Sequence, residues 1–168
     1  MSTLVARETL PGRCTYALVM SERQVSVNRV IKAAPAKIFD VLADPAQHAV
    51  IDGSGSVKAS RVGSVRLTPD ASFSMDMKQG VPYRIKSRVV EFDEGKCIAW
   101  AHFGKHRWRY ELEAQPDGST RVTETFDWST ARSPRFIELM RYPKKHPKNM
   151  EKTLERLAAL VEGSEGTA

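Results

Sequence analysis

The chain has 168 residues, enough for about one domain at roughly 150 residues each, and able to bury about 70% of its unfolded surface without a metal or disulfide. Hydrophobic residues make up 41% and charged residues 27%, which excludes collagen-like, wholly disordered and bilayer-spanning chains. The net charge of +6 favours an anionic partner without specifying one. Cys14 and Cys97 form neither a CxxC pair nor part of a zinc-spaced cluster, so a reducing, cytoplasmic setting is expected. The apolar run Tyr16 to Met20 is too short for the core of a signal peptide.

Residues 1–22 lack periodicity, and Pro11-Gly12 interrupts them. They read as a loose N-terminal extension, part of which pairs as an edge strand. Gln24 to Ala33 reads as a strand with Val25, Val27 and Arg29 on one face. Ala34-Pro35-Ala36 opens a short helix with the apolar stripe Ile38, Phe39, Val41 and Leu42, and Pro45 stops it. A second helical turn over 46–50 places His48 on the surface and runs into the loop Ile51-Asp52-Gly53-Ser54-Gly55. Asp52 there is either a turn former capping local amides or a contact to a ligand hydroxyl.

From 56 to 129 the pattern is β-rich. Short strands are expected over 56–62 and 65–68, followed by alternating segments punctuated by Gly80, Glu94-Gly95, Gly104 and Asp117-Gly118. Alternation puts Met75, Met77, Tyr83, Ile85, Trp100, Trp108, Tyr110, Phe126 and Trp128 on one face, with all three tryptophans of the chain among them. His102, His106 and Glu124 share that face, although His106 follows a turn glycine and is equally readable as exposed. The opposite face carries Arg84, Lys86, Arg88, Arg107 and Arg109, balanced by Glu91, Asp93, Glu111 and Glu113 through cross-strand pairing. One covered and one wet face mean an antiparallel sheet.

Ser133-Pro134 begins a helical stretch with Phe136, Ile137, Leu139 and Met140. Pro143 and Pro147 then bound a basic stretch, Arg141 to Lys148, read either as a solvated loop between helices or as a contact for anionic headgroups. A 3.6-residue stripe resumes at Met150, Leu154, Leu157, Ala158 and Val161. Residues 163–168 are small and polar and are expected to be a disordered tail. The order is α+β, with one domain over 23–162.

Three stretches carry a family resemblance: APAKIFDVLADPAQHAVIDGSG at 34–55, GVPYRIKSRVVEFDEGKCIAWAH at 80–102 and RYELEAQPDGSTRVTETFDWS at 109–129. Together with the terminal helix they resemble the helix-grip fold of the SRPBCC superfamily, which includes START-type lipid-binding domains. The nearest likeness is to its polyketide cyclase/dehydrase and lipid transport branch. The resemblance implies a curved sheet gripping the terminal helix over an apolar cavity, and it transfers no catalytic residue by motif.

The residues alone read the inward aromatics, with Phe136 and Met140, as a packed core. The resemblance turns Met75, Met77, Tyr83, Ile85, Trp100, Trp108, Tyr110, Phe126, Trp128, Phe136 and Met140 into the lining of a ligand cavity. An inward glutamate must pair or become protonated. Glu124 with His102 is therefore a structural hydrogen-bond network, a general acid/base couple, or a pair that orients a ligand without turnover. Phosphate loops, nucleophile elbows, metal motifs and nucleic-acid modules are absent from the sequence, so no cofactor, metal or nucleic acid is expected. Three functions remain: binding of a small hydrophobic molecule, a polyketide cyclase/dehydratase-like enzyme using His/Glu acid–base chemistry, or a module that meets a protein or an anionic membrane surface.

Overall fold

Hairpin follows hairpin along most of the chain. The computed structural model describes residues 3–5, 17–21, 23–61 and 63–163, the first two segments as backbone. Strands β1 (Thr3–Val5), β2 (Ala17–Ser21) and β3 (Gln24–Ile31) come first. Helices α1 (Pro35–Leu42) and α2 (Pro45–Ile51) follow. Then come β4 (Val57–Ser60), β5 (Ser72–Gln79), β6 (Val81–Asp93), β7 (Cys97–His102), β8 (Arg107–Ala114) and β9 (Thr120–Asp127). Helices α3 (Pro134–Leu139) and α4 (Tyr142–Gly163) close the chain. The antiparallel sheet has the order β1-β2-β3-β9-β8-β7-β6-β5-β4.

The seven strands β3–β9 form the curved sheet that holds α4, the α+β helix-grip arrangement. The first and last of these strands are neighbours, paired from Gln24↔Asp127 to Ile31↔Thr120. That long-range pairing sets β4 and β5 at the far edge. The segment read as a loose extension supplies β1 and β2 at the other edge, with β2 paired to β3 from Ala17↔Asn28 to Ser21↔Gln24.

Val25 and Val27 of β3, Val122 and Phe126 of β9, and Leu154, Leu157 and Val161 of α4 are all buried. They form the core beneath the C-terminal half of the helix. α1 adds Ile38, Phe39 and Leu42, and Phe39 meets Phe92 edge-on at 5.3 Å. Within β6 the register shifts between Val89 and Glu91. This bulge keeps Val89 buried, leaves Val90 exposed, and turns Glu91 toward the outer face. There Glu91 accepts from Arg107 (3.1 Å) and Arg109 (2.8 Å), the cross-strand pairing that balances the outer charges. Cys97 lies beside them half-buried, its thiol pushed up to about 11 by burial, which leaves it little thiolate character.

Three local expectations are corrected. Residues 65–68 are an irregular link rather than a strand; Leu67 is nonetheless buried, and its amide donates to the Ala43 carbonyl at 2.7 Å. Pro45 does stop α1, but it also begins α2, where its fixed φ suits the first helical position and Asp44 caps the Ala46 amide at 2.9 Å. The basic stretch 141–148 is not a loop. Arg141, at φ 58, makes the break after α3, and α4 then runs straight through Pro147. Pro147 forfeits a bond to Pro143 in the helix's opening turns, where few such bonds exist to lose.

Candidate functional site

Helix α4 is longer than the core it covers. Its first turns, together with α2, span a cavity of about 500 Å³ over the concave face of β5–β9. Trp100 of β7, Trp108 and Tyr110 of β8, and Phe126 of β9 form its floor. Register makes this a continuous aromatic surface, since Trp100 pairs with Trp108 and Trp108 with Phe126. Ring centroids lie 4.9 Å apart for Trp108–Phe126 and 5.4 Å for Trp100–Tyr110. Phe73, Met75, Met77, Tyr83 and Ile85 from β5 and β6 form a side wall. His48 and Ile51 of α2, with Tyr142, His146, Asn149, Met150 and Thr153 of α4, close the top.

Eight of the eleven residues expected in the lining therefore meet around one space, as do His102 and Glu124. Trp128, Phe136 and Met140 do not. The Trp128 indole is buried behind Phe126, stacked at 5.4 Å, and its N–H donates to Glu138 of α3 at 3.1 Å. A buried indole seeks an acceptor, and the one within reach lies away from the cavity. The six-residue α3 buries only Ile137, leaving Phe136 and Met140 exposed.

The loop after α2 is fixed against α4 by close approach. A Cβ on Gly53 would lie 2.1 Å from the Asn149 carbonyl oxygen, and the Gly53 amide donates to Thr153 Oγ1 at 3.0 Å. Asp52 is the turn former of the two readings: its carboxylate accepts from the amides of Ser54 (2.9 Å) and Val57 (2.8 Å) while lining the cavity mouth. A second concavity of about 450 Å³ at the β4–β6 edge is an open groove in which Arg61 and Arg84 both pair with Asp76.

The family model described as polyketide cyclase / dehydrase and lipid transport matches residues 22–162. The chain belongs to this family. It is 34% identical over 163 residues to the Mycobacterium tuberculosis protein Rv0088, covering 94% of this chain and 68% of that protein. Solved structures repeat the fold at low identity. A Nitrosomonas europaea protein is 16% identical with a TM-score of 0.68, over 87% of this chain and 98% of that one. An AHSA1-like protein from Aeromonas hydrophila is 17% identical with a TM-score of 0.62, over 84% and 94%. Among the described residues, no helix is long and apolar enough to cross a membrane.

All four histidines of the chain line this cyclase/dehydrase-family cavity, together with polar side chains that include Asp52, Lys78, Gln79, Asn149 and Thr153. His48, expected on the surface, is buried; its Nε2–H donates to the Leu42 carbonyl at 2.9 Å and its ring stacks on Trp100 at 4.7 Å. His146, expected in a loop, packs against Phe126 at 4.4 Å and Trp108 at 5.0 Å. Both had a signal in the sequence. Pro45, His48 and Ile51 recur at helical spacing, and Tyr142, His146, Asn149/Met150 and Thr153 extend the α4 stripe backward across Pro147. The proline obscured it.

His102 and Glu124 do not pair with each other. His102 Nδ1 accepts from the Gly104 amide at 3.0 Å, which leaves the proton on Nε2, and that nitrogen meets His106 Nε2 at 2.5 Å. His106 then accepts there and carries its own proton on Nδ1. A Cβ on Gly104 would fall 2.9 Å from the His102 ring, so the glycine lets the imidazole fold over the turn. Glu124 instead accepts at Oε1 from the Tyr110 hydroxyl, 3.0 Å away on the neighbouring strand.

Burial favours the neutral form of every one of these groups. It lowers His48 and His102, lowers His106 to about 3 with help from the neighbouring His102 and His146, and lowers His146 to about 4 with help from Lys145. It raises Glu124 to about 8, against the opposing Tyr110 hydrogen bond and with a smaller push from Asp52. It raises Tyr110 well above its ordinary range. At neutral pH the deep cavity holds neutral imidazoles, a phenol and a protonated carboxyl.

Proposed function

We propose that the protein binds a small, uncharged, largely apolar molecule, such as a lipid, polyketide or aromatic metabolite, in the cavity between the sheet and α4. The observation carrying this reading is the aromatic floor under a helix whose first turns lack the leucines needed to fill the space beneath them. Ligand sites have this composition: mostly apolar walls with a few oriented polar groups. Family membership supports the same class of ligand. Native mass spectrometry of gently purified protein, followed by denaturing extraction, tests it. A lipophile near one equivalent is expected. Trp108→Ala should weaken rebinding by about tenfold or more, since a buried aromatic anchor contributes more than 1 kcal/mol. Rebinding at wild-type affinity by that variant overturns the proposed location.

A second reading, a cyclase/dehydratase-like enzyme, draws support from one feature: a carboxyl raised to about 8 is an acid matched to work near neutrality. Glu124 would donate a proton to the substrate in the cavity, and His102 would accept one at Nδ1 by giving up its contact with the Gly104 amide. Glu124→Gln and His102→Gln should then abolish turnover of a reactive polyketide chain while ligand binding persists. Unchanged turnover in both variants removes the reading.

A further inference from the structure

Glu124 is the cavity residue whose hydrogen bonding is incomplete. It sits on β9 between Val122 and Phe126, is almost fully buried, and lines the cavity. Oε1 is occupied by the Tyr110 hydroxyl, whereas Oε2 is shielded from solvent and has no hydrogen-bond partner among the described residues. The strand on its other side, β3, presents Val27 opposite it, and no ion pair among the described residues reaches it. The titratable groups that act on it are Tyr110 on β8 and Asp52 after α2; the histidines, Tyr83, Tyr142 and Lys78 share the cavity lining. The histidines are neutral at neutral pH, and the one cation, Lys78, is exposed on β5 and is not among the groups that shift the Glu124 carboxyl. A carboxyl so placed holds its proton and, with Oε1 already accepting, has an O–H left to donate. Buried polar groups are almost always satisfied, so an orphan in a ligand-sized cavity calls for a partner that the ligand brings.

We propose that Glu124, oriented by Tyr110, is the anchor for a carbonyl oxygen, so that the ligand is an apolar molecule bearing a ketone, ester or quinone oxygen at the end that reaches β8 and β9. This rests on the cavity reading above and narrows its ligand class. A neutral oxygen acceptor matches the protonated carboxyl; a cationic amine would match only an ionised one. The aromatic floor at Trp108 and Phe126, adjacent on the same strands, receives the apolar body of the molecule.

The test uses the solvatochromic naphthyl ketone Prodan, its analogue with the carbonyl reduced to a methylene, and an amine-bearing naphthalene of similar size. The wild-type protein should bind the ketone about tenfold more tightly than the methylene analogue, the scale of one added buried hydrogen bond. The carbonyl stretch of the bound ketone should move to lower frequency than in hydrocarbon, a readout that needs no variant. Glu124→Gln, whose amide still donates, should keep most of the preference; Glu124→Leu should bring the ratio to about one. Equal affinity for ketone and methylene analogue, an unshifted stretch, or a preference that survives in Glu124→Leu overturns the anchor and leaves the cavity reading standing. Tighter binding of the amine than the ketone overturns it by showing an ionised Glu124. Binding of none of the three overturns the cavity reading and this inference with it.

Discussion

The two halves of α4 face the same sheet and do opposite things. The C-terminal half buries Leu154, Leu157, Ala158 and Val161 against β3 and β9, where branched aliphatic side chains close the gap completely. The N-terminal half presents Tyr142, His146 and Asn149 to β5–β9, where an open space of about 500 Å³ remains. The difference lies in side-chain shape and chemistry rather than in backbone. Leucine and valine interdigitate to crystal-like density. The rings of Tyr142 and His146, stacked on each other, and the short amide of Asn149 leave the space over the curved sheet open. The filled core lies under one half of the helix and the proposed ligand site under the other.

Leu154→Ala, in the filled half, should carry the largest penalty, about 3 kcal/mol of unfolding free energy from lost burial and the cavity left behind. Urea denaturation with an unchanged m-value measures it. Gly53→Ala comes next, at about 2 kcal/mol or more, because the new Cβ meets the α4 backbone and must push the loop at the cavity mouth away. Its ligand affinity should fall together with its Tm. Trp108→Ala, in the open half, should cost less stability than Leu154→Ala because one side of its ring already faces empty space. A Trp108→Ala variant as unstable as Leu154→Ala would erase the distinction between the halves.

The two kinds of buried group should also divide the pH profile. Glu124 is raised from its ordinary value of 4.5 to about 8, so the unfolded chain releases that proton first. Its contribution is full below the ordinary carboxylate range and is lost as pH rises toward about 8. The histidines are lowered from 6.5, so their contribution is full above that value and is lost as pH falls toward about 4 and 3. Between about pH 6.5 and 8 the Glu124 decline acts alone. Thermal melts should show the wild-type Tm falling across that window, a flat profile for Glu124→Gln, and a softened acid-side loss for His146→Phe. A wild-type profile as flat as that of Glu124→Gln would mean that the carboxyl is ionised in the fold.

The smallest expected effect is at the rim. Leu139 is 78% and Phe136 55% exposed, and Lys144 and Lys145 are exposed in the first turn of α4 beside the cavity residue Tyr142. Binding to anionic vesicles, weakened by salt and by changing Lys144 and Lys145 to Glu, is the expected outcome of sedimentation if ligand is collected at a membrane. No loss in either condition removes the membrane from the picture.

Much of this was legible before the fold. Period-two alternation marked the inward face of β5–β9 down to Trp108 and Glu124, and the apolar stripe marked the C-terminal half of α4. Trp128 failed the same rule because alternation stops with the strand at Asp127, and the next side chain follows its indole proton to Glu138. The helical spacing of His48 and His146 was masked, in one case by the shortness of α2 and in the other by Pro147, which reads as a break although α4 runs through it.

The sequence by itself determined the order of the elements and which side of each strand is apolar, since both follow from backbone periods that neighbouring residues enforce. Tertiary structure alone decided that His102 pairs with His106 rather than with Glu124, that burial raises the Glu124 carboxyl, and that half of the concave face stays open. Those outcomes depend on desolvation and on distances between residues far apart in the chain, such as the meeting of Gly53 with Thr153, and such distances exist only after the sheet has curved around its helix.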